Sequence, residues 1–480
     1  MLTVPGGSPR GQCGGKGGHV GFRPVGLLLT AALLAGAGTA HAAGLALSAP
    51  WPSCAPRSAP ISLGATEAGR VNVDARTQDI TLHSQAMHGD VHVDVLVPKG
   101  YDPSSGVRYP VLYLLHGALG SYKDWPANGV EGILGDTPMI VVMPDDGPDG
   151  SYADWYGSEL IELSPPRAWE SFHIGELLPW VDAHYPTIAA PGGRYVAGLS
   201  SGGAGAMKYA SAHPGVFGAA GEFSGAVDTD LPGYYGTANV TWDLTYLPVY
   251  GPPGHCTWGD PASQEVTWRD NDPTYLAPNL GGTRLFLASG TGQPGPLDPP
   301  YATMDAVEST VWSMNQAFDA ALSAAGVGHT TDFYGPGTHT WPYWTRELQR
   351  FLTWLGPNLG KPVGAPNGFA MRSARPSFAA WDWTFTAHWD VKEFAYLTGG
   401  GPGGITVTGS GSLDVVTGPA YRPGATYVLR IGATTRLISA GGDGRLRFSV
   451  DLGPSHGAQQ TQFGSDATTG WSSVTASIAG

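Results

Sequence analysis

Short, uninterrupted apolar runs recur through the middle of the chain, and they constrain its fold more than any other feature. Each run ends in Gly, Pro or polar residues, and stretches with helical periodicity separate them. Strands that are apolar throughout, rather than alternating, are typical of a mostly parallel sheet with helices on both faces. The sequence therefore predicts an α/β fold of the α/β-hydrolase kind. The runs are 109–115, 138–143, 194–197 and 284–288, and the more polar segment 330–334 is predicted to be the last strand.

A different β pattern lies on either side of this region. Residues 71–97 alternate between apolar and polar residues, which indicates antiparallel strands. Alternating runs separated by Gly, Asp and Pro turns follow a Pro- and Gly-rich stretch near the C-terminus, as in a small β-sandwich. We therefore predict an all-β, sandwich-like second domain. The predicted segments are a lead-in at 43–60, the α/β-hydrolase domain at 61–356, a linker at 357–376 and the β domain at 377–480.

The N-terminal residues have the three parts of an export signal. Basic residues up to Arg23 precede an uncharged apolar run at 25–40, which closes on the small-x-small pattern Ala40-His-Ala42. The run is shorter than the roughly 20 residues that cross a bilayer, so a cleaved signal is favoured over a membrane anchor. We predict a signal peptide at 1–42, a protein without a stable membrane span, and a location outside the cell or in its envelope.

Charge and composition exclude several classes of partner. The formal net charge of −14 repels phosphate backbones, so we predict no nucleic-acid partner. The histidines are scattered, and neither an H-x-x-x-H nor a C-x-x-C spacing is present. We therefore predict no metal and no cofactor.

Three cysteines occur, and one of them lies in the predicted signal. Removal of Cys13 with that segment leaves Cys54 and Cys256 in an oxidising compartment. The two residues either form one disulfide or remain separate thiols.

The strongest chemical signal is the segment 198–202, Gly-Leu-Ser-Ser-Gly. It lies between the apolar run 194–197 and a helical stretch that opens at Gly203. A nucleophile on a sharp strand-to-helix turn needs a glycine on each side, because neighbouring backbone segments lie in contact there and leave no space for a side chain. We predict that Ser200 is the catalytic nucleophile.

An oxyanion hole needs two backbone N–H donors directed at the developing negative charge. One is expected from Ser201, the residue after the nucleophile, and the other from the turn His116-Gly117-Ala118, with Ala118 as the donor. His116 precedes the nucleophile, whereas this fold places its base last in chain order. We therefore assign His116 no role as the base.

The base is expected on the loop after the last strand, where His339 lies. The third member of the triad must be an acid between the run 284–288 and His339. Chain position alone favours Asp298, the acid nearest the end of that strand, and leaves the choice open. The candidates are Asp298, Asp305, Glu308, Asp319 and Asp332.

Seven short motifs between residues 108 and 355 occur together in one group of proteins. On these motifs the region resembles esterase-type α/β-hydrolases, and among them the secreted mycolyltransferases of the antigen 85 type. The motifs are Tyr113-Leu-Leu-His-Gly117, Ser151-Tyr-Ala-Asp-Trp-Tyr156, Trp169-Glu-Ser-Phe172, Gly198-Leu-Ser200, Trp258-Gly-Asp with Arg269-Asp-Asn-Asp-Pro273, Asn315-Gln-Ala-Phe318 and Gly337-Thr-His-Thr-Trp-Pro-Tyr-Trp344.

The resemblance implies which acid completes the triad, and this chain departs from the family pattern beside the oxyanion turn. In that family the triad acid is a Glu seven residues before the Asn-Gln pair, which here is Glu308, while Ser200 and His339 match the nucleophile and base. The family also carries an Asp just before the oxyanion Gly and an Arg soon after it, which help to bind trehalose. His116 and Leu119 stand at those positions. We therefore predict an ester hydrolase or acyltransferase for which trehalose is a poor acceptor.

The expected substrate is a lipid or cell-envelope acyl ester, and the acceptor is water or a sugar or glycerol hydroxyl. Trp341 and Trp344 follow His339 and either line a substrate groove or pack in the core. Two alternatives remain: an antigen 85-type trehalose or diacylglycerol acyltransferase, and a non-catalytic carbohydrate-binding envelope protein. The second would use Trp381, Trp383 and Trp389 of the β domain to stack on sugar rings.

Overall fold

A computed structural model of the protein describes residues 55–147, 151–158, 166–229, 254–259, 263–457 and 471–480. The predicted signal peptide at 1–42, most of the lead-in, and Cys13 and Cys54 lie outside the described residues. Those assignments therefore stay predictions. No helix in the described ranges has the length and apolar character needed to cross a membrane.

A nine-stranded mixed sheet forms the centre of the first part of the chain. Six neighbouring strands run parallel, and three antiparallel strands extend one edge. The predicted α/β-hydrolase fold with a mostly parallel sheet is confirmed. In spatial order the strands are Thr330–Gly335, Arg284–Gly290, Ala219–Phe223, Arg194–Leu199, Val111–Leu115, Ile140–Pro144, Gly89–Leu96, Thr77–Ser84 and Ala65–Asn72.

Helices cover both faces of the sheet because alternate residues of each buried strand point to opposite sides. Leu285 and Leu287 belong to one apolar cluster, whereas Phe286 and Ala288 belong to the other. The first cluster packs against Ser171–Leu177, Leu178–His184, Ser201–Ala212 and Ala306–Ala324. The second packs against Asp124–Ala127, Val130–Leu134 and Trp341–Leu355. The remaining described elements are the strands Ala55–Pro56 and Gly157–Ser158 and the short helices Pro191–Gly193, Gly254–Trp258, Glu265–Arg269, Ala277–Leu280 and Gly356–Asn358.

One central strand, Ala219–Phe223, was not predicted, because its sequence Ala-Ala-Gly-Glu-Phe lacks the long apolar run of its neighbours. The structure explains the small side chains. A Cβ added at Gly221 would lie 2.7 Å from the Phe351 ring, so the packing helix leaves no space for a larger residue. Crowding between the sheet and this helix, rather than strand propensity, selects these residues.

The C-terminal residues form two antiparallel sheets that share one apolar core, as predicted for a sandwich. Strand Phe369–Ser373 lies inside the predicted linker 357–376, so ordered β structure begins earlier than expected. The six-stranded sheet has the order Phe369–Ser373, Ala395–Gly401, Gly404–Gly409, Ser472–Ala479, Thr426–Ile431 and Thr434–Ser439. The four-stranded sheet has the order Ser377–Ala380, Trp383–His388, Gly411–Val416 and Arg447–Gly453.

The sandwich contacts the α/β part directly. The Trp381 N–H donates to the Pro214 carbonyl at 2.7 Å, and the Trp381 side chain packs so closely on Gly215 and Gly282 that neither glycine leaves space for a Cβ. The Arg375 guanidinium, which lies between strands Phe369–Ser373 and Ser377–Ala380, also donates to the buried Glu170 carboxylate. These buried contacts hold the two parts together at a specific surface.

The predicted disulfide is testable although Cys54 is not described. Cys256 is buried and disulfide-bonded. Strand Ala55–Pro56 pairs with Gly157–Ser158, and the neighbouring Tyr156 backbone N–H donates to the Thr257 carbonyl at 2.8 Å. The residue after Cys54 and the residue after Cys256 are thus both bound to the segment 156–158. Non-reducing peptide mapping of the purified protein should therefore find a Cys54–Cys256 cross-link. Such a link closes a loop of about 200 residues, with a stabilisation of roughly 5 kcal/mol in the chain-entropy model. Two free thiols in the mature protein would exclude it.

Candidate active site

Ser200 occupies a strained turn between strand Arg194–Leu199 and helix Ser201–Ala212. Its backbone has φ 54° and ψ −122°, a conformation that non-glycine residues rarely adopt. A Cβ at Gly198 would lie 2.5 Å from Gly202, and a Cβ at Gly202 would lie 2.4 Å from the His116 carbonyl oxygen. The two glycines are therefore required by close backbone contact, and the turn presents the Ser200 hydroxyl at the carboxyl edge of the sheet.

His339 lies in the loop after strand Thr330–Gly335 and reaches Ser200. The distance from His339 Nε2 to Ser200 Oγ is 2.9 Å. The backbone N–H of His339 donates to Asp305 Oδ2 at 3.0 Å, and the imidazole packs edge-on against the Trp344 ring at 5.0 Å. These contacts hold the imidazole in hydrogen-bonding position next to the hydroxyl.

Glu308 is the acid that contacts this imidazole. The distance from His339 Nδ1 to Glu308 Oε2 is 2.7 Å, and the Glu308 side chain has no exposed surface. Its other oxygen, Oε1, accepts from Ser224 Oγ at 2.8 Å, Ser289 Oγ at 3.1 Å and Gly290 N at 2.7 Å. Because the carboxyl group accepts from Nδ1, the His339 tautomer leaves Nε2 free to accept the Ser200 proton.

The other candidate acids do not hydrogen-bond to the His339 imidazole. Asp298, which chain position favoured, accepts from Tyr343 Oη at 2.9 Å, from Gly295 N at 2.7 Å and from the Thr338 hydroxyl. It thus holds the loop that carries His339 and does not contact the imidazole. Asp305 caps the helix Ala306–Ala324, Asp319 pairs with His329, and Asp332 pairs with Arg346.

The predicted oxyanion turn packs directly against the nucleophile. A Cβ added at Gly117 would lie 3.4 Å from the Ser200 Cβ. Within the described residues, none of the hydrogen bonds uses the N–H of Ala118 or of Ser201. Both amides are therefore available to a ligand atom near Ser200, as an oxyanion hole requires.

His116 is 2% exposed and supports this turn from the inside. Its Nδ1 donates to the Gly117 carbonyl at 2.7 Å, and its Nε2 accepts from the Asp146 N–H at 3.0 Å. Leu119 adopts a positive φ of 62° and is 50% exposed. His116 therefore has a structural role, and only Leu119 of this pair is open to an incoming substrate.

The two predicted substrate-binding tryptophans form an aromatic chain that ends at the imidazole. Trp344 packs edge-on against Trp341 at 5.3 Å, and Trp341 packs edge-on against Trp125 at 5.2 Å. Trp344 is buried, whereas Trp341 is partly exposed. Trp344 therefore supports His339 mainly by packing, and Trp341 has the surface that a substrate could contact.

The tryptophans of the β domain are used in packing. Trp383 belongs to the sandwich core, Trp389 packs partly against it, and Trp381 packs on the α/β part. The non-catalytic carbohydrate-binding alternative depended on these three rings.

Residues that sequence analysis missed surround the triad. Ser224 and Ser289 bind Glu308, and both lie at the carboxyl ends of neighbouring parallel strands. Two further acids, Glu222 and Glu347, are buried nearby, and burial raises the pKa of both carboxyl groups well above the usual range. For Ser224, Ser289 and Glu222 the available signal was position, because each is a polar residue that directly ends or interrupts a buried strand. Glu347 lies in the helix Trp341–Leu355 and carried no such signal.

A comparison with models of protein families shows which family this chain belongs to. The family model named Esterase, with the description "Putative esterase", matches residues 84–355. This chain belongs to the esterase family. The resemblance stated from the motifs is thereby confirmed. The match ends with the helix Trp341–Leu355, so the C-terminal sheets lie outside it.

Two curated relatives share this esterase region. The esterase Rv1288 of Mycobacterium tuberculosis is 34% identical over 269 residues, which are 55% of this chain and 56% of the relative. The diacylglycerol acyltransferase/mycolyltransferase Ag85B of Mycolicibacterium smegmatis is 30% identical over 269 residues, or 54% of this chain and 79% of that protein. The chain thus spans little more than half the length of the first relative. Among solved structures, M. tuberculosis MPT51 (FbpC1) is 25% identical, with 57% of this chain and 95% of that chain covered and a TM-score of 0.46.

Proposed function

We propose that this member of the esterase family is a serine ester hydrolase or acyltransferase that works through an acyl-Ser200 intermediate. The observation that carries the proposal is the hydrogen-bonded chain from Ser200 Oγ through His339 to Glu308, at 2.9 Å and 2.7 Å. The strained backbone of Ser200 and the two amides beside it support the same chemistry.

The geometry supports a two-step mechanism. His339 Nε2 takes the Ser200 proton as Oγ bonds to the ester carbonyl carbon, and the amides of Ala118 and Ser201 stabilise the oxyanion. The C–O bond of the ester then breaks, and the imidazolium gives its proton to the leaving alcohol. Water or an acceptor alcohol attacks the acyl-serine carbonyl and passes its proton to His339. The Oγ–C bond then breaks, and the imidazolium returns this proton to Ser200 Oγ, which releases the acid or the new ester. Glu308 orients the imidazole and stabilises its charged form throughout.

A fluorophosphonate probe tests the proposal directly. Attack by an activated serine forms an Oγ–P bond and expels fluoride, so wild-type protein should be labelled once, at Ser200. Ser200→Ala should abolish the label. Ser211→Ala removes a buried hydroxyl of the same helix that bonds to the Lys208 carbonyl, and this variant should label like wild type. Labelling of Ser200→Ala at the wild-type rate would refute the proposed nucleophile.

Acyl esters of lipids or of the cell envelope are the proposed substrate class, and secretion is the proposed location. The predicted export signal at 1–42 supports the location. The relative Ag85B is a diacylglycerol acyltransferase/mycolyltransferase and the relative Rv1288 is an esterase, which supports transfer and hydrolysis as the two outcomes of one acyl-enzyme. Exposed Leu119 offers an apolar contact beside the oxyanion turn.

Trehalose is expected to be a poor acceptor. Both His116 ring nitrogens are engaged inside the protein, and Leu119 presents only an alkyl chain. A site with an acid and a guanidinium at these positions would make two charge-assisted hydrogen bonds, each about 1.5–3 kcal/mol. Their loss lowers trehalose use by at least about a hundredfold.

The measurement is product partitioning with a long-chain acyl ester in buffer with and without trehalose. We expect free acid as the main product in both cases, with glycerol tested in parallel as a smaller acceptor. Transfer of the acyl group to trehalose faster than to water would contradict the prediction and favour the trehalose acyltransferase alternative.

A further inference from the structure

Tyr152 contacts both the helix that follows the nucleophile and the first residue of the predicted oxyanion turn. Its ring packs on the helix that starts at Ser201, so closely that a Cβ added at Gly205 would lie 2.5 Å from the Tyr152 Cγ. Its hydroxyl donates to the His116 carbonyl at 2.8 Å, and the side chain has no exposed surface. One buried side chain thus spans from the nucleophile helix to the oxyanion turn.

The backbone of Tyr152 is fixed as firmly as its ring. Ser151 and Tyr152 have successive positive φ values of 54° and 52°, a strained pair for residues with side chains. The Tyr152 N–H donates to Asp146 Oδ2 at 3.0 Å, and its carbonyl accepts from the buried Lys208 ammonium at 2.6 Å. Lys208 belongs to the helix Ser201–Ala212, so this helix holds Tyr152 at both its ring and its backbone.

The His116 carbonyl belongs to the peptide that leads directly into the oxyanion turn. The next carbonyl, that of Gly117, accepts from His116 Nδ1 at 2.7 Å and from the Gly120 N–H at 3.1 Å. In a planar trans peptide the N–H points away from the C=O, so the bound Gly117 carbonyl sets the direction of the Ala118 N–H. The Tyr152 hydroxyl fixes the preceding peptide, and with it the orientation of the whole turn.

We propose that Tyr152 is a positioning residue that aligns the Ala118 N–H with the oxyanion formed at Ser200. The hydroxyl acts through the His116 carbonyl and does not touch the substrate. This inference rests on the proposed acyl-serine chemistry and deepens it. Burial raises the pKa of Tyr152 well above its usual range, so the hydroxyl remains a donor at any working pH.

The test is Tyr152→Phe, which keeps the ring and removes only the hydroxyl. Misplacement of an oxyanion donor costs less than its removal, which is worth roughly 10²–10³ in kcat, so we expect kcat to fall about 10- to 100-fold. KM should change less than about twofold, because the ground-state carbonyl makes weaker use of the hole. The inhibition constant of an aryl trifluoromethyl ketone, whose serine adduct carries an oxyanion, should rise by the same factor as kcat falls.

The matched control is Tyr209→Phe. Tyr209 is also fully buried and packs edge-on against Tyr152 at 6.0 Å, but its hydroxyl bonds to His173 Nδ1 at 2.7 Å rather than to the oxyanion turn. We expect it to keep kcat and the inhibition constant within about twofold of wild type. Thermal unfolding of both variants under assay conditions measures whether either substitution lowers the amount of folded protein.

Three outcomes would overturn the inference: unchanged kcat in Tyr152→Phe, an effect on KM alone, or an equal loss in Tyr209→Phe. The last would mean that any hydroxyl of this cluster matters and that the turn is not the target. Failure of the proposed function has a different signature, because it would show as fluorophosphonate labelling of Ser200→Ala at the wild-type rate. Failure of the inference alone leaves labelling at Ser200 intact and shows only in the Tyr152→Phe kinetics.

Discussion

Replacing Ser200 with alanine is expected to lower kcat/KM for ester hydrolysis by at least about four orders of magnitude. Without the Oγ atom that lies 2.9 Å from His339 Nε2, no acyl-enzyme forms, and only uncatalysed attack by water in the binding site remains. His339→Ala should have an effect of similar size, because the hydroxyl then lacks its base. The measurement is steady-state hydrolysis of a p-nitrophenyl acyl ester by purified variants.

The double variant provides an internal check on this assignment. Because the members of a triad act as one unit, Ser200→Ala combined with His339→Ala should be scarcely slower than either single variant. Ser211→Ala serves as the control for the loss of a hydroxyl from the same helix. Near wild-type turnover in either single variant would remove the residue from the mechanism.

The second large effect is expected at the acid. Glu308→Gln should lower kcat by about three to four orders of magnitude, whereas Asp298→Asn should lower it by less than about tenfold. The Glu308 carboxyl accepts from His339 Nδ1, and a glutamine amide would either place a donor against that donor or stabilise the wrong tautomer. Asp298 contacts the loop through Thr338 and Tyr343 and leaves the imidazole untouched.

Thermal unfolding of the two variants separates a chemical effect from a structural one. Glu308→Gln keeps the shape of a fully buried side chain that Ser224, Ser289 and Gly290 bind, so its kinetic loss should far exceed any loss of folded protein under assay conditions. The reverse order, a severe Asp298→Asn and a mild Glu308→Gln, would assign the acid to Asp298.

Local chemistry explains how much the sequence predicted. The nucleophile turn could be located because a serine on a sharp strand-to-helix turn needs a glycine on each side, and in the structure a Cβ at Gly198 would lie 2.5 Å from Gly202. His339 could be located because chain order in a parallel sheet sets which loops reach the carboxyl edge. The mostly parallel sheet could be predicted from the apolar runs. A strand that is apolar throughout indicates burial on both faces of the sheet when large side chains fill the space on each face.

Other assignments needed the tertiary structure or the family. From the residues alone, five acids were candidates for the triad, and the resemblance singled out Glu308. In the structure, it is Glu308 that lies within hydrogen-bonding distance of the His339 imidazole. Its partners Ser224 and Ser289 are 84 and 19 residues away along the chain, so no local pattern could group them. Strand Ala219–Phe223 was missed for a related reason. Its residues are small because Phe351, from a helix that is distant in sequence, packs against the strand.

The sequence by itself determined the fold class, the nucleophile turn and the loop that carries the base, because each depends on periodicity or on contacts between near neighbours. Only the tertiary structure decided which side His116 faces and that Tyr152 binds its carbonyl across 36 residues. The direction of a side chain and the partner of a buried polar group are set by strand register and by the packing of helices on the sheet. These are long-range quantities, and a buried donor or acceptor takes whichever partner that packing brings within reach.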